Sequence, residues 1–258
     1  MVDPDSRLRA LVAMSRELGD PANDYVILGE GNTSAAIDEH SFFVKASGAQ
    51  LPGIDESGFV RVARQPVRWM MHSDTLTDEE IREGLANACL GETTLRPSVE
   101  TFLHAVLLEL EGVEFVAHTH PTPVNTLLCS KLCARQPHLA VQGRLFPDEV
   151  VCCGPESPYI PYTDPGLPLA RAVEAAAEQF LREYEVPPRV IMMQNHGMIA
   201  TGGTPAEVLN TTAMAVKAAR IRVAAHAFGG LRPLTQAELE RIFTRADEKY
   251  REDLLRGD

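Results

Sequence analysis

The sequence lacks three features that would place it in large classes of protein. No apolar run approaches the roughly 18 residues that cross a bilayer, and the acidic amphipathic start does not resemble a signal peptide. The five cysteines form no C-x-x-C pair, which argues against a disulfide framework or a zinc finger. Basic residues are outnumbered, and a formal net charge of −12 argues against a nucleic-acid partner. We therefore expect a cytoplasmic protein that binds neither membranes nor nucleic acid.

Two glycine-rich stretches are the first notable feature that is present. Gly29-Glu30-Gly31 begins like the G-x-G-x-x-G dinucleotide fingerprint, but position 34 is Ser and a β-type segment follows where a helix is needed. This disfavours a Rossmann fold. A second turn follows at Ser47-Gly48. Such turns expose backbone N–H groups that can bind anions, although by themselves they are more typical of simple hairpin turns.

Hydrophobic periodicity predicts one α/β domain with a central, mainly antiparallel sheet flanked by helical layers. We assign residues 1–230 to this domain and residues 231–258 to a C-terminal helical extension. The pattern predicts helices near residues 5–19, 76–89, 97–111, 121–135, 167–184, 204–228 and 235–254. It predicts strands near residues 25–29, 42–46, 58–62, 114–119, 149–153 and 189–200.

Three histidines are candidate metal ligands. His118 and His120 are two residues apart on a predicted strand, so their side chains share one face. A lone His-x-His pair is more often structural. His196 interrupts a second apolar strand beside Gly197 and supplies a third imidazole. Three imidazoles suit Zn²⁺, or another divalent transition metal such as Mn²⁺ or Co²⁺, and leave a position open for substrate.

Glu100 follows Pro97-Ser98-Val99 at the start of a predicted helix and has two interpretations. A carboxylate there gains from the helix dipole, so it can be a capping acid. Close to a metal, it can instead act as a ligand or as a general acid/base. His104 lies one turn further on, where packing or support of the site is the expected role.

Five motifs, in order, resemble the class II aldolase/adducin family over roughly residues 8–228. They are Gly31-Asn32-Thr33-Ser34, Ala46-Ser47-Gly48, Pro97-Ser98-Val99-Glu100, His118-Thr119-His120-Pro121 and Asn195-His196-Gly197. The family includes fuculose-phosphate and rhamnulose-phosphate aldolases. The resemblance implies zinc held by the three histidines, Glu100 as acid/base, and a homotetramer with its sites at subunit interfaces.

The resemblance also implies how a phosphorylated sugar or sugar acid would bind. By family position, the phosphate donors are Asn32, Ser47, Gly48 and Ser98. Val99 stands where the aldolases usually have a second Ser, so one hydroxyl is missing. Lys45 either compensates for this loss or is a solvated strand residue. Tyr162 matches a tyrosine that protonates the product across a subunit boundary, and is otherwise a surface residue.

The function implied by the resemblance is that of a zinc-dependent lyase. It would reversibly cleave a ketose phosphate, through an enediolate, to dihydroxyacetone phosphate and an aldehyde. Decarboxylation or dehydration of a sugar-acid or ketose phosphate is an alternative, because it leads to the same intermediate. An adducin-like interaction module is an alternative of another class, but it predicts missing histidines.

Overall fold

Eight strands form one sheet in this computed structural model, which describes residues 3–245. The strand order across the sheet is β4-β3-β2-β1-β5-β8-β7-β6. All neighbouring pairs are antiparallel except β6 and β7, which are parallel. The strands are β1 Asn32–Ala36, β2 Ser41–Lys45, β3 Phe59–Ala63, β4 Cys89–Leu90, β5 Phe115–Thr119, β6 Tyr159–Ile160, β7 Val190–Met193 and β8 Gly197–Gly202. The predicted α/β fold with a mainly antiparallel sheet is confirmed.

Helices cover both faces of this sheet because side chains alternate between its faces along each buried strand. On β7, for example, Ile191 and Met193 pack in one hydrophobic cluster, and Val190 and Met192 pack in the other. The helices of the described chain are α1 Pro4–Leu18, α2 Arg64–Met71, α3 Asp78–Asn87, α4 Thr101–Leu107, α5 Thr122–Leu128, α6 Lys131–Arg135, α7 Pro137–Ala140, α8 Pro147–Cys153, α9 Leu167–Tyr184, α10 Pro205–Ala225 and α11 Gln236–Phe243.

Helices α2, α3, α4 and α9 line the first cluster, while α1, α5, α8 and α10 line the second. Strand β5 lies between β1 and β8 near the middle of the sheet and is buried along its whole length. Any polar side chain on β5 is therefore held in the interior, where it needs a partner. This position matters for His118.

Two predicted strands are wrong. Residues 149–153 lie in helix α8, where Pro147 occupies the first turn and Asp148 and Glu149 follow it. That start signal outweighs the apolar run after it. Residues 25–29 form a turn instead of a strand: the N–H of Glu30 donates to the Ile27 carbonyl at 3.0 Å, and Leu28 has a left-handed φ of 52°.

Other predicted bounds shift for local reasons. The helix expected at 97–111 begins only at Thr101, because an isolated bridge joins Pro97 to Ala46. The segment 121–135 is divided into α5 and α6, with Ser130 capping the second helix. The last helix, expected over residues 235–254, spans Gln236–Phe243 and ends with Thr244 as its C-cap, and residues 246–254 of that prediction lie outside the described residues. The proposed division at residue 230 stays a prediction.

Within residues 3–245, none of the helices combines the length and the apolar character required to cross a bilayer.

Candidate metal centre

The side chains of His118, His120 and His196 converge at the end of β5. Their ligand atoms all lie within 4.8 Å of one another. His118 is fully buried on β5, opposite Asn32 of β1 and Ile199 of β8. The structure therefore brings together the three histidines that the sequence singled out.

The turn between β7 and β8 carries His196 toward the other two rings. Asn195 adopts a left-handed φ of 54°, which asparagine tolerates better than most residues. Gly197 follows, and a Cβ atom there would lie 2.5 Å from the Thr119 carbonyl oxygen and 2.6 Å from Cδ2 of His120. Only glycine lets the turn approach the His120 ring this closely.

Hydrogen bonds around the rings leave nitrogens facing the centre of the cluster. His118 donates from Nδ1 to the Met198 carbonyl at 2.9 Å, so its Nε2 is free to act as a ligand. That Nε2 lies 2.9 Å from Nε2 of His120. Burial lowers the pKa of His118, and burial together with the other two rings lowers the pKa of His120 to about 4. Both imidazoles are therefore neutral near pH 7, as metal ligands must be.

These residues fit a divalent cation. An ion about 2.0–2.1 Å from each nitrogen, at tetrahedral angles, separates the nitrogens by about 3.3 Å. The separation of 2.9 Å between the Nε2 atoms of His118 and His120 is close to that value. Two neutral nitrogens at this distance need either a shared proton or a cation between them. The donor set of three imidazoles suits Zn²⁺ or a related transition metal.

Glu100 points into the cluster. It is the N-cap residue of α4, yet within residues 3–245 its side chain makes no capping hydrogen bond. Instead, Oε1 lies 3.0 Å from Nε2 of His196 and 3.7 Å from Nε2 of His118, and Oε2 accepts a hydrogen bond of 2.5 Å from Nδ2 of Asn32. The geometry therefore does not support the capping interpretation.

The surroundings of Glu100 keep it ionised. Burial opposes ionisation, but His118, His196 and the Asn32 amide outweigh it and hold the pKa of the carboxyl well below its usual range. A carboxylate beside three imidazoles can accept a proton or bind the same cation. Both candidate roles of Glu100 therefore stay open in this geometry.

The second glycine-rich turn lies beside the segment that leads to Glu100. The N–H of Ser47 donates to the Arg96 carbonyl at 2.8 Å, and the neighbouring residues form the bridge to Pro97. Gly48 follows with a left-handed φ of 82°, and no atom of another part of the chain lies within 4 Å of the place where a Cβ atom would be. The hydroxyl of Ser98 accepts from the N–H of Glu100 at 3.2 Å. The turn and Ser98 thus form one rim next to the carboxylate.

Lys45 is not a solvated strand residue, because it is only 4% exposed. Its Nζ donates to the Ala49 carbonyl at 2.6 Å and lies 3.5 Å from the Gly29 carbonyl, so it joins the two glycine-rich turns. Burial lowers the pKa of this amine, and the charge of Glu100 partly offsets that effect. An ammonium group is thus held near the carboxylate.

Tyr162 is exposed, with 58% of its surface accessible to solvent. Its hydroxyl donates to Oδ1 of Asp164 at 3.0 Å, and its N–H donates to the side chain of Gln194 at 3.1 Å. Among the described residues, no hydrogen bond or ion pair joins Tyr162 to the three histidines. The structure therefore leaves Tyr162 outside the cluster of its own chain.

Three neighbours of the cluster were given no firm role from the sequence. Oε1 of Glu30 lies 3.6 Å from Nδ1 of His120, and Nδ2 of Asn125 donates to the His196 carbonyl at 3.1 Å. His104 contacts both Asn32 and Ser34. The sequence signals available were the charged Glu30 between two glycines of a turn and the position of His104 one turn after Glu100, whereas nothing local marked Asn125.

A curated relative and several solved structures resemble this chain. The uncharacterized oxidoreductase YuxG of Bacillus subtilis is 27% identical over 185 residues, which cover 68% of this chain. The match spans only 24% of the length of YuxG. The N-terminal class II aldolase domain of a conserved protein from Thermoplasma acidophilum is 26% identical, with a TM-score of 0.66 over 86% of this chain and 96% of that one.

Two further structures share the fold at lower identity. YgbL of Klebsiella pneumoniae, described as a putative aldolase/epimerase/decarboxylase, is 19% identical, with a TM-score of 0.71 over 94% of this chain and all of that one. An L-fuculose 1-phosphate aldolase is 19% identical, with a TM-score of 0.69 over 97% of this chain and 98% of that one. Residues 9–223 match the family described as the class II aldolase and adducin N-terminal domain. The chain therefore belongs to the class II aldolase and adducin family.

Proposed function

We propose that this chain is a zinc-dependent carbon–carbon lyase of the class II aldolase type. Its substrate would be a ketose phosphate, cleaved reversibly to dihydroxyacetone phosphate and an aldehyde. The observation that carries this proposal is the convergence of three imidazoles whose ligand atoms all lie within 4.8 Å of one another. An ionised carboxylate, that of Glu100, lies beside them, with Oε1 3.0 Å from Nε2 of His196. An adducin-like interaction module has no need of this arrangement.

Each group has a defined chemical role in this proposal. A divalent metal held by His118, His120 and His196 would supply a Lewis acid for the oxygen atoms of the substrate. Glu100 would move the proton on the ketone fragment, which passes through an enediolate. The carboxylate is suited to this because it is ionised and largely buried, and because Asn32 fixes one of its oxygens.

The glycine-rich rim would bind the phosphate. Gly48 and the hydroxyls of Ser47 and Ser98 offer donors there, and Nδ2 of Asn32 has a second proton beside the one given to Glu100. The ammonium group of Lys45 would supply positive charge in a chain whose net charge is −12. It would thereby offset the hydroxyl that is lost where Val99 replaces a serine.

The assembly we propose is a homotetramer in which Tyr162 reaches the metal centre of a neighbouring subunit. Support comes from the family resemblance and from the exposure of Tyr162, which leaves its ring accessible to a second chain. Light scattering at micromolar concentration tests the assembly. A monomer would contradict the shared site.

Decarboxylation or dehydration is the second candidate reaction, beside aldol cleavage. YgbL is described as a putative aldolase/epimerase/decarboxylase, and decarboxylation or dehydration of a sugar-acid or ketose phosphate also leads to an enediolate. The site geometry is suited to the intermediate and does not select the bond that breaks. The product released from a substrate panel therefore decides between these reactions.

The test combines metal analysis with that panel. Protein stripped by a chelator and reloaded with Zn²⁺, Mn²⁺ or Co²⁺ is assayed on ketose phosphates and sugar-acid phosphates for released dihydroxyacetone phosphate or carbon dioxide. His196→Ala should lose bound metal and turnover together. His72→Ala is the matched control, since His72 is exposed and lies outside the cluster. A wild-type protein without stoichiometric metal would contradict the proposal.

A further inference from the structure

Four polar side chains form a continuous chain of hydrogen bonds that ends at Glu100. Oγ of Ser34 lies 2.7 Å from Nδ1 of His104. Nε2 of the same ring contacts Oδ1 of Asn32. Nδ2 of Asn32 then donates to Oε2 of Glu100 at 2.5 Å. Three of the four residues, Ser34, His104 and Asn32, are buried, so this chain is shielded from water.

The two elements that carry these residues have matching spacings. Asn32 and Ser34 are two residues apart on β1 and share one face, about 6.6 Å apart along the strand. Glu100 and His104 are four residues apart at the start of α4, about 6 Å along the helix axis. Because the two distances are similar, the strand pair and the helix pair face each other residue by residue.

The bond that Nδ2 of Asn32 donates to Oε2 of Glu100 fixes the direction of the other bonds in this chain. A carboxylate can only accept, so Asn32 must present its amide nitrogen to Glu100 and its carbonyl oxygen to His104. His104 must then donate from Nε2, which leaves Nδ1 to accept from the Ser34 hydroxyl. The opposite arrangement would place two acceptors face to face.

The state of His104 agrees with this assignment. The ring is fully buried, and burial lowers its pKa to about 3. It is therefore neutral across the physiological range, with one donor and one acceptor nitrogen. The ring can transmit orientation to Asn32 but holds no charge of its own.

We propose that His104 is a positioning residue that orients Asn32 and thereby holds the Glu100 carboxylate against the histidine cluster. Without the donor at Nε2 of His104, the Asn32 amide is free to rotate. Oε2 of Glu100 then loses the hydrogen bond from Asn32 that holds it in place, a bond referred to below as the tether. Oε1 would then leave its position 3.0 Å from Nε2 of His196. This inference rests on the proposed function, because it assigns Glu100 to the acid/base step.

The test compares two substitutions of similar size and shape. His104→Gln keeps a donor for Asn32 and an acceptor for Ser34, whereas His104→Met keeps neither. Crystal structures of the Zn²⁺-loaded variants should show the contact between Asn32 and Glu100 retained in the Gln variant and broken in the Met variant. Turnover should fall about 10- to 100-fold in the Met variant, mainly in kcat, and the Gln variant should recover most of the loss.

Each outcome decides something about the tether. If Glu100 occupies the same position in both variants, or if both lose the same turnover, His104 is only a packing residue and the proposal is overturned. If the Met variant does not fold, Ser34→Ala tests the far end of the chain and should weaken the tether in the same direction. If wild-type protein turns over no substrate, the proposed function fails, while the crystallographic comparison still decides the role of His104.

Discussion

Substitution of Glu100 by glutamine separates proton transfer from metal binding. The remaining oxygen of the glutamine can still accept from Asn32, so the shape and one hydrogen bond are kept, but the proton acceptor is lost. We expect turnover to fall by roughly 10² to 10⁴. That range corresponds to about 3–5 kcal/mol in the activation barrier. Metal content should stay near that of the wild type, because the three imidazoles supply enough ligands.

The stability of this variant is a second readout, since loss of a true helix cap costs about 0.5–2 kcal/mol. Glu100 makes no capping bond within residues 3–245, so we expect a smaller change. Glu80→Gln is the matched control, because Glu80 does complete a capping box at the start of α3. It should lower stability slightly and leave turnover intact. Wild-type turnover in the Glu100 variant would refute the acid/base role, and loss of metal would make Glu100 a ligand first.

Three further predictions follow from the same contacts. Gly197→Ala should lower both metal content and Tm, because the added methyl group overlaps the His120 ring; an unchanged metal stoichiometry would contradict this. Lys45→Met should raise KM for a phosphorylated substrate at least about 10-fold relative to its unphosphorylated analogue, which removal of one charge-assisted contact predicts. Between pH 6.5 and 4, neutral buried His104 takes up no proton while the same residue in the unfolded chain does, so His104 by itself should cost metal-free protein about 3 kcal/mol of stability as the pH falls. His104→Gln should flatten that part of the curve in urea unfolding.

Local sequence patterns were sufficient for the parts of the site that lie close together in the chain. Strand alternation placed His118 and His120 on one face. The break at Asn195-His196-Gly197 marked a turn within an apolar stretch. These features depend on neighbours within a few residues, which is the range over which periodicity and turn chemistry operate. The same local rules failed at residues 149–153, where apolar side chains suit a buried helix as well as a buried strand.

Contacts between distant segments were decided only by the tertiary structure. Asn32 reaches Glu100 across 68 positions of the sequence and His104 across 72. The pairing of β1 with β5 and the packing of α4 against that face set these contacts. Neither leaves a periodic signal in the sequence. Lys45 is also buried by distant segments, because the sheet brings together the two glycine-rich turns that cover its side chain. The sequence thus determined which groups could bind a metal, and the tertiary structure decided which neighbours hold the carboxylate beside them.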